Sequence, residues 1–316
     1  MIVDLTSLYD CLDLADATSR EITNSELIGK YNSDFQKSSR LYDPCKDVNV
    51  IFDPHIGPIS MASIELGQVN NINLFGPHEL VIFKKYTQWI NRSLRSNASA
   101  KLKFLDVGAN VGLHAIVVAR IAKYCSELTI VCVEPLDEPN VARKINAENN
   151  NVSIALNLNG AIVPEDYNES RISFIKCQDN LTASTTSISG KEIYGLRSEF
   201  PVQAIKPSIL FRYSAVSKAT DFLIIKVDIE GAEAYFLEDL LPLLKTNTQY
   251  HSVAIVVEVS SKKNAAKILE LIKEHQKDFI AYSDIIADGK RVSSLSDIPF
   301  NWSQGSLYIE KVQYNT

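Results

Sequence analysis

Apolar positions change period twice within the first hundred residues of the chain. Segments 5–20 and 24–38 carry them at modest helical spacing. The stretch 48–74, which contains VNVIFDPHIGPISMASIELG, reads instead as short strands broken by Pro and Gly, a hairpin region. HELVIFKKYTQWINRSL (78–94) returns to a helical period through Leu80, Ile82, Phe83, Tyr86, Ile90 and Leu94. From 102 onward, apolar runs and helical patterns alternate. KFLDV (103–107), LTIVCVE (128–134), VSIAL (152–156), RISFI (171–175), FLIIKVDI (222–229) and VAIVVEV (253–259) are expected strands, with a short AIV strand after Gly160. Helices are expected over 112–125, 138–150, 232–245 and 263–277. Continuous Val- and Ile-rich runs suit strands covered on both faces. Their alternation with helices predicts a doubly wound, mostly parallel seven-stranded α/β sheet over 99–316, preceded by a helical and hairpin extension over 1–98. Segment 178–200, rich in Ser, Thr, Asn and Gly, interrupts the rhythm and is expected to be an irregular loop, either a binding loop or a solvated one.

Hydrophobic residues make up 46% of the 316, enough for a sizeable core, so a disordered or fibrous chain is excluded. The formal charge of -6 gives no support for a basic face toward nucleic acid, and leaves a local patch open. No run approaches the ~18 apolar residues of a membrane span, and the acidic start lacks the pattern of a signal peptide. The five cysteines (Cys11, Cys45, Cys125, Cys132, Cys177) form no C-x-x-C pair, which suits a reduced, cytoplasmic setting. N-x-S/T sequons at Asn91, Asn180 and Asn301 carry no weight there.

Ligands of open α/β sheets bind beyond the carboxyl ends of the strands, so those ends hold the candidate chemistry. They read Asp106-Val107-Gly108-Ala109-Asn110-Val111-Gly112, Glu134-Pro135, Asn159-Gly160-Ala161, Asp228-Ile229-Glu230-Gly231 and Glu258. Most carry an acid. A dinucleotide site would want G-x-G-x-x-G, but with Gly108 first, the next two positions are Asn110 and Leu113. S-adenosylmethionine, without a pyrophosphate, relaxes that demand. Glycines 108 and 112 let a turn pass close to its amino-acid and ribose portions, and Glu134 can accept both hydrogen bonds of the ribose diol. A tight strand–helix turn that needs glycine only for packing is the structural alternative.

FLDVGANVGLHAIVVAR, VEPLDEPNVARKINAENN, IIKVDIEGAEAYFLEDL and IVVEV together resemble the FkbM-type methyltransferases, over roughly 100–260. The resemblance implies a class I fold, S-adenosylmethionine as methyl donor, and methylation of hydroxyl oxygens on sugars, glycans or natural products. It implies cofactor contacts from Asp106, Gly108, Ala109, Asn110 and Gly112, Glu134 at the ribose, Gly160–Ala161 near the adenine, and Asp228 near the reacting methyl. It also matches Glu258 to an acid of the family.

Methyl transfer needs the acceptor aligned and its proton removed. Asp228 is the first candidate base, followed by Glu258 and Glu230. For Glu230 and Glu233, stabilisation of a helix N-terminus is a sufficient reason on its own. Asp228 and Glu258 could instead hold a divalent metal, but two carboxylates are a thin ligand set, and no metal is expected. His78, His114 and His251 are alternative bases for which surface or capping roles are expected. Tyr194, Phe200 and Trp302 are candidates to line an acceptor pocket.

Other functions are weaker. A short-chain oxidoreductase needs Tyr-x-x-x-Lys downstream of its cofactor turn; here that spacing occurs only from Tyr42 to Lys46, across Pro44. A nucleic-acid methyltransferase acting on amino nitrogens would carry D-P-P-Y or N-P-P-Y, and neither is present. A non-catalytic binding scaffold is left open, although its strand-end acids would then have no task. The expected partner is a small-molecule or glycan acceptor, with no membrane. The acceptor's identity and the choice between monomer and dimer are not encoded in any motif.

Overall fold

The computed structural model describes residues 47–51, 58–62, 80–177, 184–189, 196–214, 220–247, 250–259, 261–283, 291–292, 294, 297 and 305–311. The expected helices 5–20 and 24–38, and His78, Tyr194 and Trp302, lie outside them. The chain divides into two compact units, one of Met1–Ser99, Asn110–Cys125 and Leu136–Ile154, the other of Ala100–Ala109, Ser126–Pro135 and Ala155–Thr316.

In the first unit, β1 (Asp47–Ile51) and β2 (Pro58–Ala62) pair antiparallel, the hairpin expected there. Helix α1 (Leu80–Ser96) buries Ile82, Phe83, Tyr86, Trp89 and Ile90, the apolar face that its period predicts. Helix α2 (Leu113–Ile121) is buried along most of its length, so its sequence is apolar nearly all round. It ends in a single 3-10 turn, Ala122–Tyr124, where a continued helix was expected. Helix α3 (Asp137–Asn149) opens on two acids, Asp137 and Glu138, which favour a helix N-terminus.

The second unit holds both larger sheets. The main one comprises β3 (Lys101–Val107), β4 (Glu127–Val133), β5 (Leu156–Leu158), β10 (Thr220–Val227), β11 (Tyr250–Val259), β12 (Phe279–Ser283) and β13 (Gly305–Lys311), in the order β12-β13-β11-β10-β3-β4-β5. All neighbours are parallel except β13, which runs antiparallel to β11 and β12. The chain therefore goes from β3 outward on one side through β4 and β5, then returns to β3's other side with β10. That reversal, between β3 and β10, is the switch point where α/β sheets bind ligands. Strands β3 and β10 are buried at nearly every described position, as their uninterrupted apolar runs require.

A second sheet of four strands has the order β6-β9-β7-β8, made from β6 (Ala161–Ile162), β7 (Arg171–Cys177), β8 (Thr185–Thr186) and β9 (Arg197–Ile205). Helices α4 (Pro207–Ser214), α5 (Glu233–Thr246) and α6 (Lys262–Glu274) complete the unit. Leu237, Leu240, Leu241 and Leu244 of α5 join Ile268 and Ile272 of α6 and the strands β10 and β11 in one apolar core. Each such side chain, taken fully out of water, contributes about 1.5–3 kcal/mol. Among the described residues no helix is long and apolar enough to cross a membrane.

Three expectations need correction. The strand expected at 152–156 is displaced to β5, because the end of α3 absorbs the residues before it. Asn151 turns left-handed (φ 55) and the Val152 amide donates back to Ala147 at 2.8 Å, so pairing with β4 begins only at Ala155. Segment 178–200 is not wholly irregular: Thr185–Thr186 pair with β7, and β9 starts at Arg197. RISFI forms the expected strand, but in the second sheet and not in the main one.

Candidate active site

Strand β3 ends where its backbone must turn away from a close neighbour. Gly108 has φ 81, and a Cβ there would overlap the carbonyl oxygen of Asp228. No side chain can occupy that position while β10 keeps its parallel pairing, which extends to Asp228 through a 2.9 Å bond from its amide to the Val107 carbonyl. The Gly108 and Ala109 amides both donate to the Val133 carbonyl at the end of β4, at 3.0 and 2.9 Å. The first half of the glycine turn is thus tied to the strands on either side of β3. The next three positions continue with left-handed residues at Asn110 (φ 47) and Gly112 (φ 85). Asparagine is among the few residues that adopt this conformation at small cost. The Asn110 and Val111 carbonyls accept bonds from Arg143 and Asn146 of α3, each at 2.9 Å. Gly112 leads into α2 without a side-chain cap.

Asp106, two residues before the turn, is fully buried, and neither carboxylate oxygen has a hydrogen-bond partner. A buried, unsatisfied carboxylate is costly and belongs where a further group completes it. Glu134, one residue beyond β4, is 7% exposed and its amide bonds Leu158 of β5.

Asp228 follows β10 directly. Its side chain is 29% exposed and receives the Lys226 ammonium at 3.0 Å. The Lys226 ammonium, itself almost fully buried, also donates to the Gly108 carbonyl at 3.0 Å. Beyond Asp228 the chain makes a tight left-handed turn through Glu230 (φ 51) and Gly231 (φ 101). Thr185 of β8 donates to the Glu230 carbonyl at 2.6 Å. Glu233 folds back from the first turn of α5 to accept the Gly231 amide at 3.0 Å and the Ile229 amide at 3.3 Å, and Asn264 donates to its other oxygen. Burial pushes the Glu233 carboxyl up from 4.5 to about 7, and the nearby Asp228 charge adds to this against the opposing hydrogen bonds.

The candidates group accordingly. Asp106, Gly108, Ala109, Glu134 and Asp228 stand at the carboxyl edge of three adjacent strands, and Glu258 sits near the end of the next, β11. Gly160 lies two residues past the carboxyl end of β5, the strand next to β4 in the main sheet, and leads directly into β6 of the second sheet at Ala161. Gly160 has a packing reason of its own: a Cβ there would lie 2.5 Å from the Gln203 carbonyl. Glu233 does more than answer a helix dipole, since it closes the turn after Asp228. His114 is neither capping nor solvated; it is buried, bonded to the Tyr86 hydroxyl at 2.9 Å and edge-on to Phe83. His251 is exposed near the amino end of β11, as expected. Sequence reasoning passed over Lys226, although a lysine inside FLIIKVDI was the visible signal. Among the described residues no group of three or more His, Cys, Asp or Glu is gathered as a metal ion would need.

The model of the methyltransferase FkbM domain matches residues 106–279, more than half of the chain. The chain belongs to this family. It is therefore a methyltransferase, and S-adenosylmethionine is its methyl donor. No curated relative matches the chain. Among solved structures, this methyltransferase is similar to the N-terminal domain of human METTL16 in complex with SAH, at 12% identity and TM-score 0.40, with 76% of this chain and 72% of that one covered. It is similar to the human methyltransferase 10 domain containing protein at 12% and 0.38, with 73% and 82% covered. A third is precorrin-6y C5,15-methyltransferase from Geobacter metallireducens GS-15, at 11% and 0.37, with 75% and 90% covered.

Proposed function

We propose that this methyltransferase methylates a hydroxyl oxygen on a sugar, glycan or natural product, with Asp228 as the base. The observation that carries the reading is a partly exposed carboxylate at the switch point, ion-paired at 3.0 Å with Lys226 beside the glycine turn. When bound, the donor supplies a methyl carbon already activated by positive sulfur. The Asp106–Gly112 turn receives its amino-acid end: Gly108, Ala109, Asn110 and Gly112 offer backbone, and the unsatisfied Asp106 carboxylate answers its ammonium, directly or through water. Glu134 accepts from the ribose hydroxyls, and Gly160–Ala161 border the adenine. Asp228 orients the acceptor hydroxyl and holds its proton, with Glu258 and Glu230 as the next candidates.

Labelled methyl transfer to a panel of sugars, glycans, polyketides, peptides and nucleic acids tests the acceptor class. The expected result is label in a hydroxylated small molecule or glycan, and at least a hundredfold loss of turnover in Asp228→Asn with donor binding retained. Label in nucleic acid, or none in any acceptor, would overturn the O-methylation reading. Calorimetry tests the donor contacts. S-adenosylhomocysteine should bind where NAD does not, and Glu134→Ala should weaken it. An unchanged affinity would remove Glu134 from the site.

A further inference from the structure

We propose that Lys226 is a positioning residue for methyl transfer, which acts through Asp228 by fixing it and offsetting its charge. The inference rests on the reading above that Asp228 faces the reacting end of the donor. A lysine inside a strand whose neighbours Ile225 and Val227 are fully buried is costly unless its ammonium is both paired and hydrogen-bonded. Lys226 meets that condition at the switch point. It bonds the Gly108 carbonyl after β3 and the Asp228 carboxylate after β10, both at 3.0 Å. One cation therefore sets the spacing of the two turns between which a ligand of this sheet would lie.

The charge has a second effect. A carboxylate alone beside a sulfonium would stabilise the donor's positive charge, which disappears as the methyl is transferred. Ground-state stabilisation of that kind raises the barrier. With Lys226 at 3.0 Å, Asp228 keeps its hydrogen-bonding capacity while its field is partly cancelled.

The test is calorimetric affinity for two ligands of one shape, neutral S-adenosylhomocysteine and sinefungin, whose amine places a positive charge near the sulfonium position. Wild type, Lys226→Met, Lys226→Arg and Asp228→Asn are compared. Lys226→Met should shift the ratio of affinities toward the cation by roughly tenfold. Lys226→Arg should restore it, and Asp228→Asn should shift it the other way. A merely structural lysine would weaken both ligands equally, and an unchanged ratio in Lys226→Met overturns the proposal. If Lys226→Met does not fold, the Lys226→Met/Asp228→Asn pair removes both charges. Its ratio should then return near wild type, and a ratio equal to that of Asp228→Asn overturns the proposal. Wild type that binds neither ligand refutes the donor site itself, a different outcome from an unchanged ratio.

Discussion

Replacing Glu233 by Gln should change how stability depends on pH, and the size of the change follows from its surroundings. The side chain is 1% exposed, and burial raises its carboxyl from 4.5 to about 7. Between those values the folded state holds a proton that the unfolded state has released. Stability contributed by this group is therefore complete below about pH 4.5 and is lost as pH rises through 7. At about 1.4 kcal/mol per pH unit, the interval amounts to about 3 kcal/mol. Glutamine cannot ionise, so the stability of Glu233→Gln minus that of wild type should rise by about 3 kcal/mol between pH 4.5 and 7.5. The offset of that curve is a separate matter. Gln keeps an acceptor for the Gly231 amide, but its own amide then meets the Asn264 donor, and Asn264 must rotate to present its oxygen. Urea unfolding of both proteins across the pH range, with equal m-values, reads the difference directly. A difference that stays flat from pH 4.5 to 7.5 would refute the claim that a buried, titrating carboxyl closes the turn after Asp228.

Four further substitutions probe the same sheet and its turns. Gly108→Ala should cost at least about 3 kcal/mol and abolish S-adenosylhomocysteine binding, since left-handed strain is compounded by overlap with the Asp228 backbone. Gly112→Ala carries the same left-handed strain but should cost less in thermal unfolding, because the atom it meets, at 2.6 Å, is a side-chain carbon, Cγ of the buried Arg143, and not a backbone carbonyl. Asp106→Asn removes a buried charge without a partner, so the unliganded protein should melt higher while calorimetry shows weaker S-adenosylhomocysteine binding. Burial lowers the Lys103 ammonium to about 8, so its penalty is present below pH 8 and relieved as pH rises toward 10.5. Lys103→Met should gain about 1–2 kcal/mol at pH 7 in urea unfolding, allowing for solvent screening, and lose that gain at high pH.

The parts of the site legible in the sequence are those fixed by strand ends. A continuous apolar run locates a central strand, and the polar residue that terminates it must lie at the sheet edge; Asp106, Glu134 and Asp228 follow from that alone. What escaped notice depends on partners far away in the chain. Lys226 is 118 residues from the carbonyl it bonds, and nothing in its local pattern names that carbonyl. Tyr86 and His114 meet across 28 residues, so a histidine two places into a helix looked like a surface residue. Strand β9 was hidden because every second residue near its start is exposed and Pro201 interrupts the run, although proline is tolerated where its missing amide is not needed.

Glu233 shows why local sequence rules give an incomplete reason even when they name the right residue. An acid in the first turn of α5 satisfies the helix dipole, and that explanation fits the string E-G-A-E. It would be sufficient if the chain entered the helix in extended conformation with the carboxylate in water. Here Glu230 and Gly231 both take positive φ, and the backbone curls so that the Ile229 and Gly231 amides point at the carboxylate. Thr185 fixes the Glu230 carbonyl from β8, and Lys226 fixes Asp228 from within β10. Three residues from three segments, Thr185, Lys226 and Glu233, thus converge on a turn of four, Asp228–Gly231, leaving little freedom to the partly exposed Asp228 carboxylate. The role of base proposed for Asp228 would need that constraint, since misplacement by about 1 Å can cost a hundredfold in rate. Replacing Thr185 by Val, which keeps the shape and removes the hydroxyl, should therefore reduce turnover more than it reduces S-adenosylhomocysteine affinity.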